Sequence, residues 1–190
     1  MDVVELHRRA TEEFARRVTA VHPDQWDGPT PCTDWDVRAL VNHVVAEERW
    51  TVPLMSGQTI EDVGSTLDGD LLGDNPTDAA SHAAQAAQQS IAEPVSAGAT
   101  VQLSYGEEQA AEYVWQLTTD HLVHAWDLAV AIGEDPRMDP GLVAGVAAWF
   151  KDKEELYRAG GMIADRVRNG FTDPQDELIG AFGRNPGWAP

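Results

Sequence analysis

A long helical repeat that carries polar groups on its apolar stripe constrains this chain more than any other feature. The seven residues that recur at three- and four-residue intervals are Ala110, Val114, Leu117, His121, His124, Leu128 and Ala131. On a helix they fall within one stripe about 100° wide. The repeat is preceded by Glu107 and Glu108, where we expect the helix to begin, and Gly133 ends it. A stripe of this length must be buried against other helices, which predicts a helical bundle.

Three further segments have the periodicity or the composition of helices. Residues 3–21 carry apolar side chains at helical intervals, and residues 33–51 carry a second such arc. Residues 77–91 are rich in alanine and glutamine, which have high helix propensity. Thr33 is the expected N-cap of the second segment, and Pro53 is expected to close it.

The remaining segments are shorter. Residues 101–105 alternate apolar and polar side chains, which is the period of a short strand. Asp139 and Pro140 supply an N-cap and a first-turn proline for a further helix. Residues 162–167 suggest a short helical piece within an irregular tail of about residues 159–190.

Together these segments predict a single all-α domain over residues 1–190, a four-helix bundle with a short β excursion and extra C-terminal helices. The formal net charge of −19 repels nucleic-acid phosphates and anionic membrane surfaces, so neither is an expected partner. No stretch reaches the roughly 18 apolar residues of a membrane-spanning helix, and the N-terminus lacks signal-peptide features. The lone Cys32 suits a reducing compartment, so we expect a cytoplasmic protein.

Two imidazoles and two carboxylates lie close together on the long helix, between Asp120 and Asp127. Asp120 and His124 are four residues apart, so their side chains lie one above the other at about 5–6 Å, which suits one metal ion. His121 and His124 form a competing pair. Either pair needs a third ligand from elsewhere, and His43 on the second helix is the natural candidate.

Spacing alone leaves these alternatives open. An internal ion pair or a hydrogen bond between helices explains Asp120 and His124 as well as a metal does. His121 lies more centrally on the apolar stripe than Asp120. Two imidazoles and one carboxylate suit zinc, nickel or iron better than magnesium or calcium. We interpret the other three histidines as hydrogen-bonded core residues: His7, His22 and His82.

Three motifs resemble those of a known family. Residues 33–44 contain the pattern W-x-V-x-x-L-x-x-H, which is similar to the second-helix signature of the DinB-like fold and of mycothiol-dependent maleylpyruvate isomerase N-terminal domains. Residues 120–129 resemble the second motif of that family, an acidic residue four positions before a histidine, followed by W-D-L-A. Residues 182–188 are similar to the tail of a mainly actinobacterial branch of metal-binding members. The resemblance implies a DinB-like four-helix bundle.

The resemblance also implies a ligand set, which is His43, Asp120 and His124. It leaves His121 and Asp127 as groups that hold these ligands in place. His121 is also a possible substitute for Asp120 as a ligand. The isomerase motif has glutamate where this chain has Asp120. Because aspartate is one methylene shorter, either the helices approach more closely or the carboxylate binds through water.

The function implied is that of a transferase or isomerase. Zinc or nickel would hold a low-molecular-weight thiol such as mycothiol and present it to a small electrophilic substrate. Glu47, one turn from His43, is the candidate for proton transfer. The isomerases carry a further C-terminal domain, whereas only residues 159–190 follow the last clear helix here.

Two alternatives keep the same fold. The first is a metal-dependent hydrolase or a dedicated biosynthetic enzyme that uses bound water. The second is a non-catalytic metal-binding or stress-response protein. Whichever function holds, the tryptophan-bearing faces of the bundle could support a homodimer.

Overall fold

The computed structural model describes residues 2–190 and contains, within that range, eight helices and a two-stranded sheet. The predicted all-α fold with a short β excursion is confirmed. No helix in the described range is long and apolar enough to cross a membrane. The elements are α1 Val3–Ala20, α2 Val37–Met55, α3 Ile60–Val63, α4 Pro76–Ala97, β1 Thr100–Leu103, β2 Gly106–Gln109, α5 Ala110–Ile132, α6 Pro140–Phe150, α7 Glu154–Ala159 and α8 Pro174–Ala181.

Helices α1, α2, α4 and α5 form the four-helix bundle. Helix α1 packs against α5 and α4, and α2 packs against the same two helices from the other side. The arc that α2 buries is fully inaccessible to solvent and consists of Val37, Leu40, Val41 and Val44. Burial of each such side chain stabilises the fold by about 1.5–3 kcal/mol relative to exposure. This arc fixes which face of α2 meets α5, and it leaves His43 and Glu47 at its edge.

The start of α2 differs from the prediction. The helix begins after Asp36, not after Thr33, because the Asp36 carboxylate accepts a hydrogen bond from the Ala39 backbone N–H at 2.7 Å. An isolated antiparallel bridge between Pro29 and Asp36 holds the preceding chain extended. The helix also continues past Pro53, because a proline in the last turn removes only one of the helical hydrogen bonds.

The start of the long helix differs as well. Glu107 and Glu108 do not open α5 but belong to β2, which pairs antiparallel with β1 and places Val101 opposite Glu108. Gly106, with φ of 130°, allows the tight turn between the two strands. Exposed glutamates fit both the first turn of a helix and an exposed strand, so the polar pattern could not separate the two.

The C-terminal segment packs on α5 and α6. Residues 162–167 are not helical, contrary to the prediction, and the Val167 N–H instead donates to the Gly180 carbonyl at 2.9 Å. The ring of Phe182 stacks on Phe150 at 4.2 Å, and Trp188 packs against the same apolar cluster. The tail therefore closes one side of the space in front of α5.

Candidate metal centre

The three residues proposed as ligands converge from two helices. His43 comes from α2, and Asp120 and His124 come from successive turns of α5. His43 Nε2 lies 3.2 Å from Asp120 Oδ2, and His124 Nε2 lies 3.3 Å from Asp120 Oδ1. The ligand atoms of all three residues lie within 4.8 Å of one another. The shorter aspartate thus reaches both histidines without a bridging water.

An unpartnered oxygen tests whether this cluster fits a metal. Asp120 Oδ2 is buried, and its contact with His43 Nε2 at 3.2 Å lacks good hydrogen-bond geometry. A buried acceptor without a donor costs about 1–3 kcal/mol. A cation between the three ligand atoms would satisfy it, and two imidazoles with one carboxylate are an ordinary donor set for a zinc-type ion with open positions. The residues present therefore fit a divalent metal.

The charges within the cluster depend on one another. Burial opposes ionisation of Asp120, but His124 and His43 outweigh it and hold the pKa of Asp120 well below its usual range. Burial likewise opposes protonation of His124, but Asp120, together with hydrogen bonds to Asp127 and Cys32, raises its pKa well above the usual value. The cluster thus favours a carboxylate with positive charge beside it. Because a divalent ion would displace the histidine protons, its binding should weaken at low pH.

Asp127 holds His124 from the side opposite the cluster. His124 Nδ1 lies 3.0 Å from Asp127 Oδ2, and the Asp127 side chain is fully buried. This contact assigns the proton to Nδ1 and leaves Nε2 free to face Asp120. Burial raises the pKa of Asp127, but His124 and Arg184 reverse that shift and lower it.

Arg184 and Cys32 both contact Asp127, and the three residues form a supporting layer behind His124. The sequence interpretation did not include Arg184 or Cys32. Arg184 Nη2 donates to Asp127 Oδ2 at 2.9 Å and to Cys32 Sγ at 3.1 Å, and the Cys32 thiol lies 3.4 Å from Asp127 Oδ2. Both residues lie outside the helices, so no periodicity pointed to them. The one signal was the position of Arg184 within the tail motif.

His121 is not brought to the cluster. Its Nδ1 lies 2.7 Å from the Leu117 carbonyl oxygen, and its Nε2 lies 2.9 Å from Glu48 Oε1. Because both ring nitrogens are engaged, neither has a lone pair for a metal. His121 and Glu48 are both buried, and they link α5 to α2 inside the bundle.

The other three histidines differ from their interpretation as hydrogen-bonded core residues. His7 is fully buried against the His121 ring at 5.2 Å, but neither of its ring nitrogens has a hydrogen-bond partner. His22 and His82 are exposed, because the loop after α1 and the outer face of α4 carry them. None of the three approaches the cluster of His43, Asp120 and His124 among the described residues.

A cavity of about 360 Å³ opens directly in front of the cluster. Glu47 lines it beside the three candidate ligands. Burial is the main cause that raises the pKa of Glu47, and the nearby Asp120 carboxylate adds to it. Behind the cluster, the Trp35 ring packs on the His43 ring at 4.6 Å and fixes its orientation. The cavity lining also includes aromatic side chains from the C-terminal half: Tyr113, Trp149, Tyr157 and Phe182.

The fold and this cluster define a DinB-like bundle with a candidate metal centre on facing helices. The family model of the mycothiol maleylpyruvate isomerase N-terminal domain matches residues 7–129, and the chain belongs to that family. The matched range contains all three candidate ligands and ends before Arg184. Uncharacterized proteins Rv0738 and MT0763 of Mycobacterium tuberculosis, from strains ATCC 25618 / H37Rv and CDC 1551 / Oshkosh, are each 34% identical to this chain over 97% of its length and 98% of their own. No solved structure matches.

Proposed function

We propose that this protein is a divalent-metal enzyme, with zinc or nickel at His43, Asp120 and His124. It uses a low-molecular-weight thiol of the mycothiol type to transform a small electrophilic molecule, as a transferase or an isomerase. One observation carries the proposal: three ligand atoms converge beside a cavity and leave Asp120 Oδ2 buried without a well-aligned hydrogen-bond donor. Membership of a mycothiol-linked family supports the choice of the thiol.

Each residue of the site has a distinct role in this proposal. His43 and His124 bind through Nε2, Asp120 binds through its carboxylate, and Asp127 keeps the His124 proton on Nδ1. When bound, a divalent ion with open coordination positions lowers the pKa of a thiol ligand toward neutrality, so that the thiol reacts as a thiolate. Glu47 lines the cavity with a raised pKa and accepts the thiol proton on its carboxylate.

Transferase and isomerase reactions share these residues and differ in the fate of the adduct. In both, the thiolate sulfur forms a C–S bond to one carbon of an activated double bond, and the π electron pair moves to the activating group. In a transfer, Glu47 returns its proton to the adduct, which leaves with the thiol attached. In an isomerisation, the adduct rotates about its new single bond, the C–S bond breaks, and the thiolate is regenerated.

Metal content is the first test. We expect about one divalent ion per chain by elemental mass spectrometry, and a melting temperature that falls when a chelator is added. His43→Ala and His124→Ala should lose the metal, whereas His82→Ala should retain it because His82 is exposed and lies outside the cluster. A protein without stoichiometric metal, with a melting temperature that ignores the chelator, would refute the proposal.

Thiol dependence is the second test. The metal-loaded protein should bind mycothiol in a calorimetric titration and conjugate it to an electrophile, and the His43→Ala variant should do neither. Hydrolysis of the electrophile without any requirement for thiol would assign water as the nucleophile and exclude the thiol reaction.

A further inference from the structure

We infer that Tyr113 is a further catalytic residue, whose hydroxyl donates a hydrogen bond to the activating oxygen of the electrophile. The inference deepens the proposed function and rests on it, because that reaction moves an electron pair toward this oxygen. It is carried by the order of the polar side chains that α2 and α5 place along the cavity, and by the hydrogen bonds that Thr51 makes with its neighbours.

Polar side chains of α2 and α5 lie opposite one another along the cavity. On α2, His43, Glu47 and Thr51 follow at four-residue steps, so they share one face of the helix. At one end of this row, His43 Nε2 lies 3.2 Å from Asp120 Oδ2 of α5. At the other end, Thr51 Oγ1 lies 3.5 Å from the hydroxyl oxygen of Tyr113, which is also on α5. Glu47 therefore lies between the candidate metal centre and Tyr113, and both Glu47 and Tyr113 line the cavity.

The hydroxyl of Tyr113 is held as a hydrogen-bond donor. Thr51 donates its own hydrogen to the Glu47 backbone carbonyl at 2.8 Å, so it can only accept in its contact with Tyr113. That contact is long, because hydrogen bonds between hydroxyl oxygens are commonly about 2.7–2.8 Å. A substrate oxygen that comes closer would therefore receive the Tyr113 hydrogen in place of Thr51. Burial raises the pKa of Tyr113, and the nearby Glu47 carboxyl adds to this, so the phenol keeps its proton.

The proposed reaction develops negative charge where Tyr113 can meet it. As the thiolate sulfur forms a C–S bond to one carbon of the double bond, the π electron pair moves onto the activating oxygen. Tyr113 donates a hydrogen bond to that oxygen and retains its proton, while Glu47 returns the thiol proton to carbon in a transfer. In an isomerisation the electron pair moves back as the C–S bond breaks, and Tyr113 is unchanged. Loss of one donor to such a developing charge typically lowers kcat about 100- to 1,000-fold.

Removal of the hydroxyl alone tests its role in the reaction. Tyr113→Phe keeps the buried ring. Tyr105→Phe makes the same change at an exposed tyrosine outside the cavity lining, whose hydroxyl accepts a hydrogen bond from Gln116 at 2.6 Å. The zinc-loaded proteins are assayed with mycothiol and cyclohexenone, a small enone. We expect kcat to fall about 100- to 1,000-fold in Tyr113→Phe and to keep its wild-type value in Tyr105→Phe. Zinc content and mycothiol affinity should match those of the wild type in both variants.

The carbonyl stretching band of bound cyclohexenone reports the hydrogen bond itself. Cyclohexenone that is isotopically labelled at its carbonyl carbon is added without thiol to zinc-loaded and to zinc-free protein, and infrared difference spectra are recorded. A donated hydrogen bond weakens the C=O bond and moves its band to lower frequency. We expect this shift in the wild type and in Tyr105→Phe, and its loss in zinc-free Tyr113→Phe. A hydroxyl that only supports the fold would leave the band of the bound enone unchanged.

The inference is overturned if kcat of Tyr113→Phe stays within about tenfold of the wild type, if the band shift persists in zinc-free Tyr113→Phe, or if the wild type does not bind cyclohexenone. Unfolding or loss of zinc in Tyr113→Phe would overturn it as well, because the hydroxyl would then have a structural role. A failure of the proposed function has a different signature. The zinc-loaded wild type would then not conjugate mycothiol to cyclohexenone, while the band shift that depends on Tyr113 persists in the zinc-free protein.

Discussion

Replacement of Asp127 by asparagine tests whether the carboxylate behind His124 controls metal affinity. Asparagine has nearly the same shape, and it keeps an oxygen where Asp127 Oδ2 now lies 3.0 Å from His124 Nδ1. The substitution therefore removes charge and leaves the packing intact. Loss of such a supporting group typically lowers metal affinity about 10- to 100-fold. At about 1.4 kcal/mol per tenfold change, the expected loss of binding free energy is about 1.4–2.8 kcal/mol.

The same substitution also destabilises the fold, and the two effects must be separated. The Arg184 side chain is 17% exposed and would lose its counter-charge. Removal of one partner of a buried ion pair costs about 3–5 kcal/mol of unfolding free energy. We expect the lower end, because Arg184 keeps its contacts with the Phe182 carbonyl and Cys32. The double variant Asp127→Asn/Arg184→Gln should regain much of this stability without regaining metal affinity.

Competition against a chromophoric zinc chelator measures the affinity, and urea unfolding of the metal-free protein measures the stability. Asp68→Asn changes an exposed carboxylate in the same chain and should leave both quantities unchanged. Wild-type zinc affinity in Asp127→Asn would refute the reasoning. Recovery of zinc affinity in the double variant would refute it as well, because Asp127 would then act only through Arg184.

Two further predictions concern Glu47 and His7. Glu47→Gln should keep its metal but slow thiol transfer roughly 100- to 10,000-fold, measured as kcat at saturating thiol. Glu93→Gln changes an exposed residue of α4 and should leave kcat unchanged. Loss of metal in Glu47→Gln would contradict the assigned role. Burial lowers the pKa of His7 from 6.5 to about 3, so the folded protein keeps His7 neutral while the unfolded chain binds a proton below pH 6.5. Between pH 7 and pH 5.5, the free energy of unfolding of the wild type should therefore fall by about 1 kcal/mol more than that of His7→Leu, as measured by urea titration. The control His82→Leu should behave like the wild type. Equal falls in all three proteins would refute this prediction.

The helical part of the site could be predicted because helix geometry fixes neighbours within one element. Asp120 and His124 are four residues apart, so their contact follows once α5 is a helix. Spacing could not show which of Asp120 and His121 faces His43, since the orientation of His121 depends on Glu48, a residue of another helix. The contact between His121 and Glu48 joins two helices, so it exists only once the bundle has packed.

The supporting layer was harder to predict, because it joins segments without periodicity. Cys32 precedes α2, Arg184 follows α8, and both contact the Asp127 carboxylate on α5. The start of α5 was misplaced for a related reason. Glu107 and Glu108 satisfy a helical pattern locally, but their pairing with β1 places them in a strand.

The hydrogen bonds of His124 leave room for a cation beside its ring, whereas those of His121 do not. His121 is fully satisfied, with one nitrogen on the Leu117 carbonyl and the other on Glu48. His124 Nδ1–H donates to Asp127 Oδ2, so a neutral ring directs the lone pair of Nε2 at the Asp120 carboxylate only 3.3 Å away. Two facing lone pairs repel each other unless a positive charge lies between them. The raised pKa of His124 favours a proton on Nε2 when no metal is bound, and a divalent ion held together with His43 would supply the positive charge in its place.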